Sequence, residues 1–534
     1  MSNRYTLSLV LNGHAPFVRH PETQNPSQEI WLFESISETY IPLLEVFDRL
    51  DRELVPFRMA VSLSPVLCHM LGDEFLVKRY LEYTDKQIAF GAQELKELQE
   101  LQETADDPAI YSLVKFYHDR IIEKKAFFTE RCESNILKIF DHYQKKGRLE
   151  ILTTAATNAF LPFYTGYAEA VQAQFEAAIS VYRANFGRYP QGFWLPELGW
   201  NSELDSWLRD YNFGYTIVDT HALAFARPFA EKGSFYPAKT PQGIIVFGRD
   251  FYSTEDMAKI TQDPDYRFNF RDQGFELPAK RLSPFLGPQG SRNSTGYKYW
   301  AGGEDGLGGV LYEREKAYRK AESHARSFLD ERLSRLKTAS GLMGEPAMSL
   351  CAFEADNFGR HWHEGSGFIE AIFREGAKNE ELQFMTPSEY LSKLDASSVQ
   401  TLTPEFSSWG ANGYSETWLD ASNDWMYRHT MRALDRMVEL VDHFPNNTGL
   451  KERALNQAAR EMLLVVASDW SKMLYKQECA DYARSRIEGS LRNFTTIYEA
   501  LGSNYISTEW LTQLEKRNNI FPNLSYRIFR RRQQ

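Results

Sequence analysis

Short apolar segments recur along the first 400 residues of the chain, and each is followed by polar or helical sequence. This alternation of strand and helix predicts a parallel α/β fold, for which a barrel is the favoured form. We predict strands at Tyr5–Leu11, Met59–Leu63, Leu149–Leu152, Gly192–Leu195, Tyr215–Val218, Ile244–Phe247, Ser349–Phe353 and Gln383–Met385.

Several of these predicted strands end in polar or acidic residues. In parallel barrels the chemistry lies just after the carboxyl ends of the strands, so residues at those positions are candidates for a functional site. They are Asn12, His14, Asn158, Glu197, Asp219, His221, Glu354 and Asp356.

Two regions have a helical pattern instead. Residues 70–148, between the second and third predicted strands, contain a charged, heptad-like segment, which indicates a solvated helical hairpin on the barrel. After about residue 400 the pattern becomes that of long amphipathic helices. We therefore predict a barrel domain over 1–400, including the insertion 70–148, and a helical C-terminal domain over 401–534 with helices at Ser422–Phe444, Leu450–Ser468 and Ala480–Leu501.

Net charge and hydropathy narrow the possible partners. The net charge of −11 argues against nucleic acid, because an acidic protein repels polyphosphate. No segment approaches the roughly 18 apolar residues of a membrane span, so no membrane partner is expected. The short N-terminal apolar run alternates with polar residues, which predicts a strand and not a signal peptide.

The cysteines and the possible metal ligands do not predict a disulfide or a metal site. Cys68, Cys132, Cys351 and Cys479 are widely spaced, which predicts buried, reduced thiols and a cytoplasmic location. The triplet His361, His363 and Glu364 could in principle coordinate an ion, but no cluster has convincing ligand spacing. We expect neither a metal nor another cofactor.

Aromatic residues make up 14% of the chain. Sugar rings pack their flat C–H faces on aromatic rings, so a carbohydrate site would use this excess. Additional aromatic packing in the core explains the composition equally well.

Two acidic segments could form a catalytic pair. The segment GFWLPELGW (192–200) places Glu197 directly after a buried strand and between tryptophans, as a glycosidase nucleophile would be placed; a capping or salt-bridged glutamate is the alternative. The segment CAFEADNFGRHW (351–362) offers Glu354 and Asp356. Retaining glycosidases need a second carboxyl about 5–5.5 Å from the first, and the sequence leaves that distance open.

These motifs and three others resemble, in order, those of glycoside hydrolase family 57. WLPELGW is similar to the nucleophile motif of the family, and FEADNFGRHWHEG (353–365) to its acid motif. NGHAPFVRHPE (12–22) and GRLEILTTAATNAFLP (147–162) resemble its first and second motifs, and LNQAAREMLLVVASDW (455–470) resembles the helical domain of its branching members. The resemblance runs from about residue 5 to 500. It is greatest to the glycogen branching enzymes, and it implies an incomplete (β/α)7 barrel with a helical C-terminal domain.

The resemblance also implies a mechanism on α-1,4-glucan. Glu197 would form a glycosyl-enzyme, Glu354 would protonate the leaving oxygen, and a sugar 6-hydroxyl would then accept the chain to create an α-1,6 branch. The residues expected to bind substrate are His14, Asn12, Asn158, Asp356, Trp31, Trp300, Trp362, Trp409, Trp418 and Trp425.

Four positions depart from the family pattern. Glu354 stands where the family has its catalytic Asp, and Asn12 and Asn158 stand where it has histidines. Ile260 falls where branching members carry a catalytic loop Tyr. A side chain one methylene longer can misplace a carboxyl by about 1 Å, which can cost about a hundredfold in rate. Two alternatives to branching therefore stay open: a hydrolase of amylase type, and a glucan-binding protein with impaired catalysis.

Overall fold

The computed structural model describes residues 4–102, 108–303 and 306–531. Residues 103–107 of the predicted insertion therefore lie outside the described residues, as does the end of the chain from 532. In the described part, the strands are β1 Tyr5–Gly13, β2 Met59–Leu63, β3 Leu149–Thr154, β4 Gly192–Trp194, β5 Tyr215–Val218, β6 Ala238–Lys239, β7 Ile245–Gly248, β8 Trp300–Ala301, β9 Val310–Leu311, β10 Met348–Glu354 and β11 Leu382–Phe384.

Seven strands form a parallel sheet in the order β10–β1–β2–β3–β4–β5–β7. The two ends of this sheet meet at a single parallel bridge, where the Asp250 N–H donates to the Leu350 carbonyl at 2.8 Å. The curled sheet is thus nearly closed, and the predicted incomplete (β/α)7 barrel is confirmed. The short β6 adds antiparallel to β7, β11 pairs with the start of β1, and β8 and β9 form a separate pair.

The strands form where the sequence predicts them because they are apolar and enclosed on both faces. All five residues of β2 and eight of the nine in β1 are buried. Strands covered by helices outside and by side chains inside have near-continuous apolar sequence. Each of the eight predicted strands is found, with bounds that differ by at most two residues. The three that were missed, β6, β8 and β9, are only two residues long.

Helices surround the sheet and fill the C-terminal region. Helices α4 and α5 pack against each other, as expected for a hairpin on the barrel. The α-helices up to residue 400 are α1 Ser27–Glu34, α2 Ile41–Arg52, α3 Pro65–Leu71, α4 Glu74–Gln102, α5 Pro108–Ala126, α6 Leu137–Lys145, α7 Ala168–Phe186, α8 Leu204–Asp210, α9 Thr220–Ala224, α10 Phe251–Ile260, α11 Gln273–Glu276, α12 Arg314–Met343, α13 Gly365–Gly376 and α14 Pro387–Lys393. Those after it are α15 Asp424–His443, α16 Gly449–Val465, α17 Ser468–Lys476, α18 Ala480–Gly502 and α19 Thr508–Arg517.

The prediction of three long C-terminal helices was incomplete. The segment predicted as Leu450–Ser468 ends at Val465, and a new helix, α17, begins at Ser468. Ala467 between them is extended, with ψ of 133°, and bridges to Ala159 after β3. This break points α17 at the carboxyl end of the barrel. The domain boundary at residue 400 stays a prediction.

The four cysteines are free. Cys68, Cys132 and Cys351 are buried as predicted, but Cys479 is exposed, because it lies in the turn between α17 and α18. Among the described residues, no helix combines the length and the apolar character that crossing a membrane requires.

Candidate active site

Glu197 follows β4 in a tight turn at the carboxyl end of the barrel. Its φ of 59° and the φ of 51° at Leu198 are both in the left-handed region, which is unfavourable for residues other than glycine. Such strain concentrates where function requires a side chain to point in one direction. Here the turn directs an almost fully buried carboxylate, 4% exposed, towards the barrel mouth.

Three donors hold the Glu197 carboxylate. Trp409 Nε1 donates to Oε2 at 2.7 Å, while Ser468 Oγ and Asn158 Nδ2 donate to Oε1 at 2.9 and 3.1 Å. Hydrogen bonds to an ionised acceptor are stronger than those between neutral groups. Asn158 follows β3 in the barrel, Trp409 lies in the segment between α14 and α15, and Ser468 is the first residue of α17. Three separate parts of the chain therefore fix the orientation of this carboxylate.

Glu354 is the last residue of β10, opposite Asn12 in the register of β1 and β10. The Asn12 amide lies 3.3 and 3.4 Å from its two carboxylate oxygens. Burial raises the pKa of Glu354 to about 7, against the effect of the cations Lys472 and His14, and the charge of Glu197 raises it further. A carboxyl with this pKa is about half protonated at neutral pH, as a proton donor requires.

His14 lies beside the acid pair. Its Nε2 is 3.0 Å from both oxygens of Asp469, and its Nδ1 is 2.9 Å from Ser64 Oγ. Burial disfavours the imidazolium, but Asp469 outweighs that effect, so the pKa of His14 is raised. His14 and Asp469 together join the barrel mouth to α17.

Sequence reasoning missed the contribution of α17. Ser468 and Asp469 contact Glu197 and His14, and Lys472, one turn after Ser468, lies on the same helix face. The charges of Glu197 and Glu354 raise the pKa of Lys472. In the described part of the chain, no hydrogen bond or ion pair reaches its ammonium, which is therefore available to a substrate. The segment LNQAAREMLLVVASDW was the available signal, but no residue of it was assigned a role.

Asp356, Trp362 and Trp418 make contacts within the scaffold, and substrate binding by Asp356 stays a prediction. Asp356 accepts hydrogen bonds from Ser35 and Thr39 at 2.8 and 3.1 Å, which ties the end of β10 to the helical segment after β1. Trp362 and Trp418 are 2% and 1% exposed, so neither ring has a free face for a sugar.

The other predicted tryptophans differ in placement. The indole N–H of Trp409 donates to Glu197. Trp31 packs edge-on against Tyr482, and Trp425 lies under the Arg484 guanidinium, 5.1 Å from the ring centre. Trp300 is covered by Arg271 at 4.3 Å. Glucan stacking on these rings stays a prediction.

The possible metal triplet is divided between other partners. His363 Nδ1 lies 3.1 Å from Glu38, while Glu364 accepts from the Tyr312 hydroxyl at 2.6 Å. No group of three or more His, Cys, Asp or Glu side chains within the described ranges could hold a metal ion.

Branching members of the family carry a catalytic Tyr in a mobile loop, and the residue at that position in this chain belongs to a helix. Ile260 is the final residue of α10 and packs against the apolar core. No phenol is therefore supplied from this position.

Comparisons with known proteins show the family of this chain. The sequence model of glycosyl hydrolase family 57 matches residues 8–403, and that of the 1,4-alpha-glucan branching enzyme C-terminal region matches 429–529. A 1,4-alpha-glucan branching enzyme of Thermococcus kodakarensis is 27% identical over 96% of this chain and 77% of its own length.

Two solved structures are similar over nearly the whole chain. The alpha-amylase AmyC from Thermotoga maritima is 33% identical, with a TM-score of 0.91 over 99% of this chain and all of that one. A branching enzyme from Pyrococcus horikoshii is 26% identical, with a TM-score of 0.88 over 99% of this chain and 97% of that one. With a family match over more than half of its length, this chain belongs to glycosyl hydrolase family 57.

Proposed function

We propose that this chain is an α-1,4-glucan-acting enzyme of the branching type, which moves a glucan segment to a 6-hydroxyl and creates an α-1,6 link. The observation that carries the proposal is the pair Glu197 and Glu354. One carboxylate is held by three donors, and the other is buried with a pKa of about 7. Two carboxyls with such different environments suit a nucleophile and an acid.

The pair supports a double displacement. Glu197 attacks the anomeric carbon of a glucose unit while the bond from that carbon to the glycosidic oxygen breaks, and Glu354 gives its proton to the leaving oxygen. Glu354 then removes the proton of an incoming 6-hydroxyl, whose oxygen attacks the same carbon and releases Glu197. The proposed substrate is thus an α-glucan, both as donor and as acceptor.

Hydrolysis is the second candidate, in which water replaces the 6-hydroxyl. It is favoured by Ile260, which leaves the position of the family's loop Tyr without a phenol, and by the similarity to an alpha-amylase. Weaker acceptor placement or water exclusion shifts transfer towards hydrolysis.

One assay separates these functions. Purified protein is incubated with amylose, and new α-1,6 links and new reducing ends are counted. Glu197→Gln is the matched variant, because it keeps the size of the side chain and removes the nucleophile. New branches support the transferase, and reducing ends alone support the hydrolase. If neither product forms, the result supports a glucan-binding protein without catalytic activity. Full activity of Glu197→Gln would refute the assigned nucleophile.

We also propose a cytoplasmic location, as the sequence predicted. The free cysteines Cys68, Cys132, Cys351 and Cys479 suit a reducing compartment.

A further inference from the structure

A cleft outside the active site lies between the segment that follows β1 and the helices α18 and α19. Its volume is about 570 Å³. We call it the arginine cleft, and its lining includes Ser27, Tyr482, Arg486, Arg492, Asn493 and Arg517. This volume lies within the range of pockets that bind small molecules.

The arginine cleft is positive in a chain whose net charge is −11. Its lining in the described residues includes three arginines and no Asp or Glu. Arg517 lies 4.0 Å from Glu22, which is a long ion pair. Among the described residues, the side chains of Arg486 and Arg492 pair with no carboxylate. Two cations of this cleft thus have no direct carboxylate partner among the described residues.

Arg486 is held in place by rings. Its guanidinium carbon lies 5.8 Å from the ring centres of both Phe17 and Trp470. Its Nε and Nη2 are buried and meet no acceptor within the described residues. These two atoms are enclosed, so an anion in the cleft would act on the charge of the guanidinium as a whole. Burying a charge without a counter-ion costs free energy, and a nearby anion would lower that cost.

The carboxylate of Glu461 lies beneath the residues that line the cleft and does not neutralise the arginines. Glu461 is fully buried and accepts hydrogen bonds from Gln457, Asn493 and Asn518 at 2.8 to 3.2 Å. Amide groups therefore separate it from the arginines.

The ligand class follows from the groups that line the cleft. Planar guanidinium groups match the oxygens of a phosphate. The uncharged polar groups of Ser27, Tyr482 and Asn493 suit sugar hydroxyls. We infer that the arginine cleft binds a phosphorylated sugar, either a free sugar phosphate or a phosphate ester on a glucan chain.

Calorimetric titration of the full chain tests this inference. Glucose 6-phosphate, inorganic phosphate and glucose are titrated at constant ionic strength into the wild type and into Arg492→Gln and Arg486→Gln. Arg492→Gln is the safer variant, because its exposed side chain makes no hydrogen bond or ion pair within the described residues. Arg432→Gln is the matched control, since Arg432 is exposed on α15, outside the cleft lining.

We expect saturable binding of glucose 6-phosphate and none of glucose at the same concentration. Loss of one charge-assisted contact is expected to weaken binding by about tenfold or more in the two cleft variants. Arg432→Gln is expected to bind as the wild type does. Titration with phosphorylated amylopectin, before and after phosphatase treatment, then separates the two sources of phosphate. The absence of saturable binding to the wild type, or equal binding to all variants, would overturn the inference.

Discussion

At the scale of single residues, Glu354 determines how the proposed reaction responds to pH. It must be protonated to donate, and burial raises its pKa to about 7. We therefore expect kcat/KM on amylose to fall above about pH 7. Lys472 opposes this rise, so Lys472→Met is expected to raise the pKa of Glu354 and move the alkaline limb to higher pH.

Rate profiles against pH for the wild type and for Lys472→Met measure this shift. Lys476→Met, exposed at the end of the same helix, is the control and is expected to keep the wild-type limb. An unchanged limb in Lys472→Met would show that Lys472 does not act on the acid.

Trp409 carries a second prediction, because its indole N–H is one of the three donors to Glu197. Trp409→Phe keeps an aromatic ring and removes that donor. A hydrogen bond to a charged group contributes about 1.5–3 kcal/mol, so we expect kcat to fall by about ten- to a hundredfold. Steady-state kinetics measures this fall in kcat, and Trp510→Phe on α19 is the control. A wild-type kcat in Trp409→Phe would show that this contact does not orient the nucleophile.

The sequence revealed the acids of the candidate site but not the groups around them. Glu197 and Glu354 follow buried strands, and the carboxyl ends of parallel strands meet at one edge. The sequence therefore predicted that both acids lie at that edge, but it left the distance between them open. Ser468 is 271 residues from Glu197, and no local pattern connects them. The burial of individual rings was equally unpredictable, since Trp362, Trp418 and Trp409 all follow a polar residue and no local pattern marks the first two as buried.

At the scale of elements, α17 fastens the C-terminal region to the barrel mouth. Its charged contact is the pair His14 and Asp469, at 3.0 Å. The folded pKa of His14 is raised above its ordinary value of 6.5. The pair therefore stabilises the folded state fully below about pH 6.5, and this contribution is lost as the pH rises through the raised pKa.

Asp469→Asn removes the charge and keeps the shape. We expect the variant to have a lower free energy of unfolding than the wild type, with a deficit that is larger at about pH 6 than at about pH 8.5. Denaturant titration at both pH values measures the free energy of unfolding. Asp481→Asn is the control, because Asp481 is an exposed acid of α18. A deficit that grows with pH would contradict the assigned direction of the His14 pKa.

The elements themselves were largely readable from the sequence. Apolar strands such as β2 and β5 match their predicted bounds because burial on both faces leaves a continuous apolar segment. The start of α17 was not readable, since a helical pattern continues across Ala467. The bridge from Ala467 to Ala159 is a tertiary contact, and it overrides the local preference.

At the scale of the whole molecule, the barrel and the C-terminal helices share an extended apolar cluster. In the described residues this cluster extends from Leu7 in β1 to Phe529, while a smaller one, which includes Val10 and Trp194, fills the interior of the barrel. Chains of this length often unfold domain by domain. The shared core instead predicts one cooperative transition.

Differential scanning calorimetry tests that expectation. We expect a single peak whose calorimetric and van't Hoff enthalpies agree. Two resolved peaks would mean that the barrel and the C-terminal helices unfold independently.

The distance along the chain between Glu197 and Ser468 also has a consequence for biosynthesis. At about 5–20 residues per second, a ribosome needs roughly 14–54 s to add the 271 residues that separate them. A growing polypeptide therefore presents its nucleophile well before one of the donors that orient it has been made. We expect nascent chains to be inert towards surrounding glucan until Ser468 has been added.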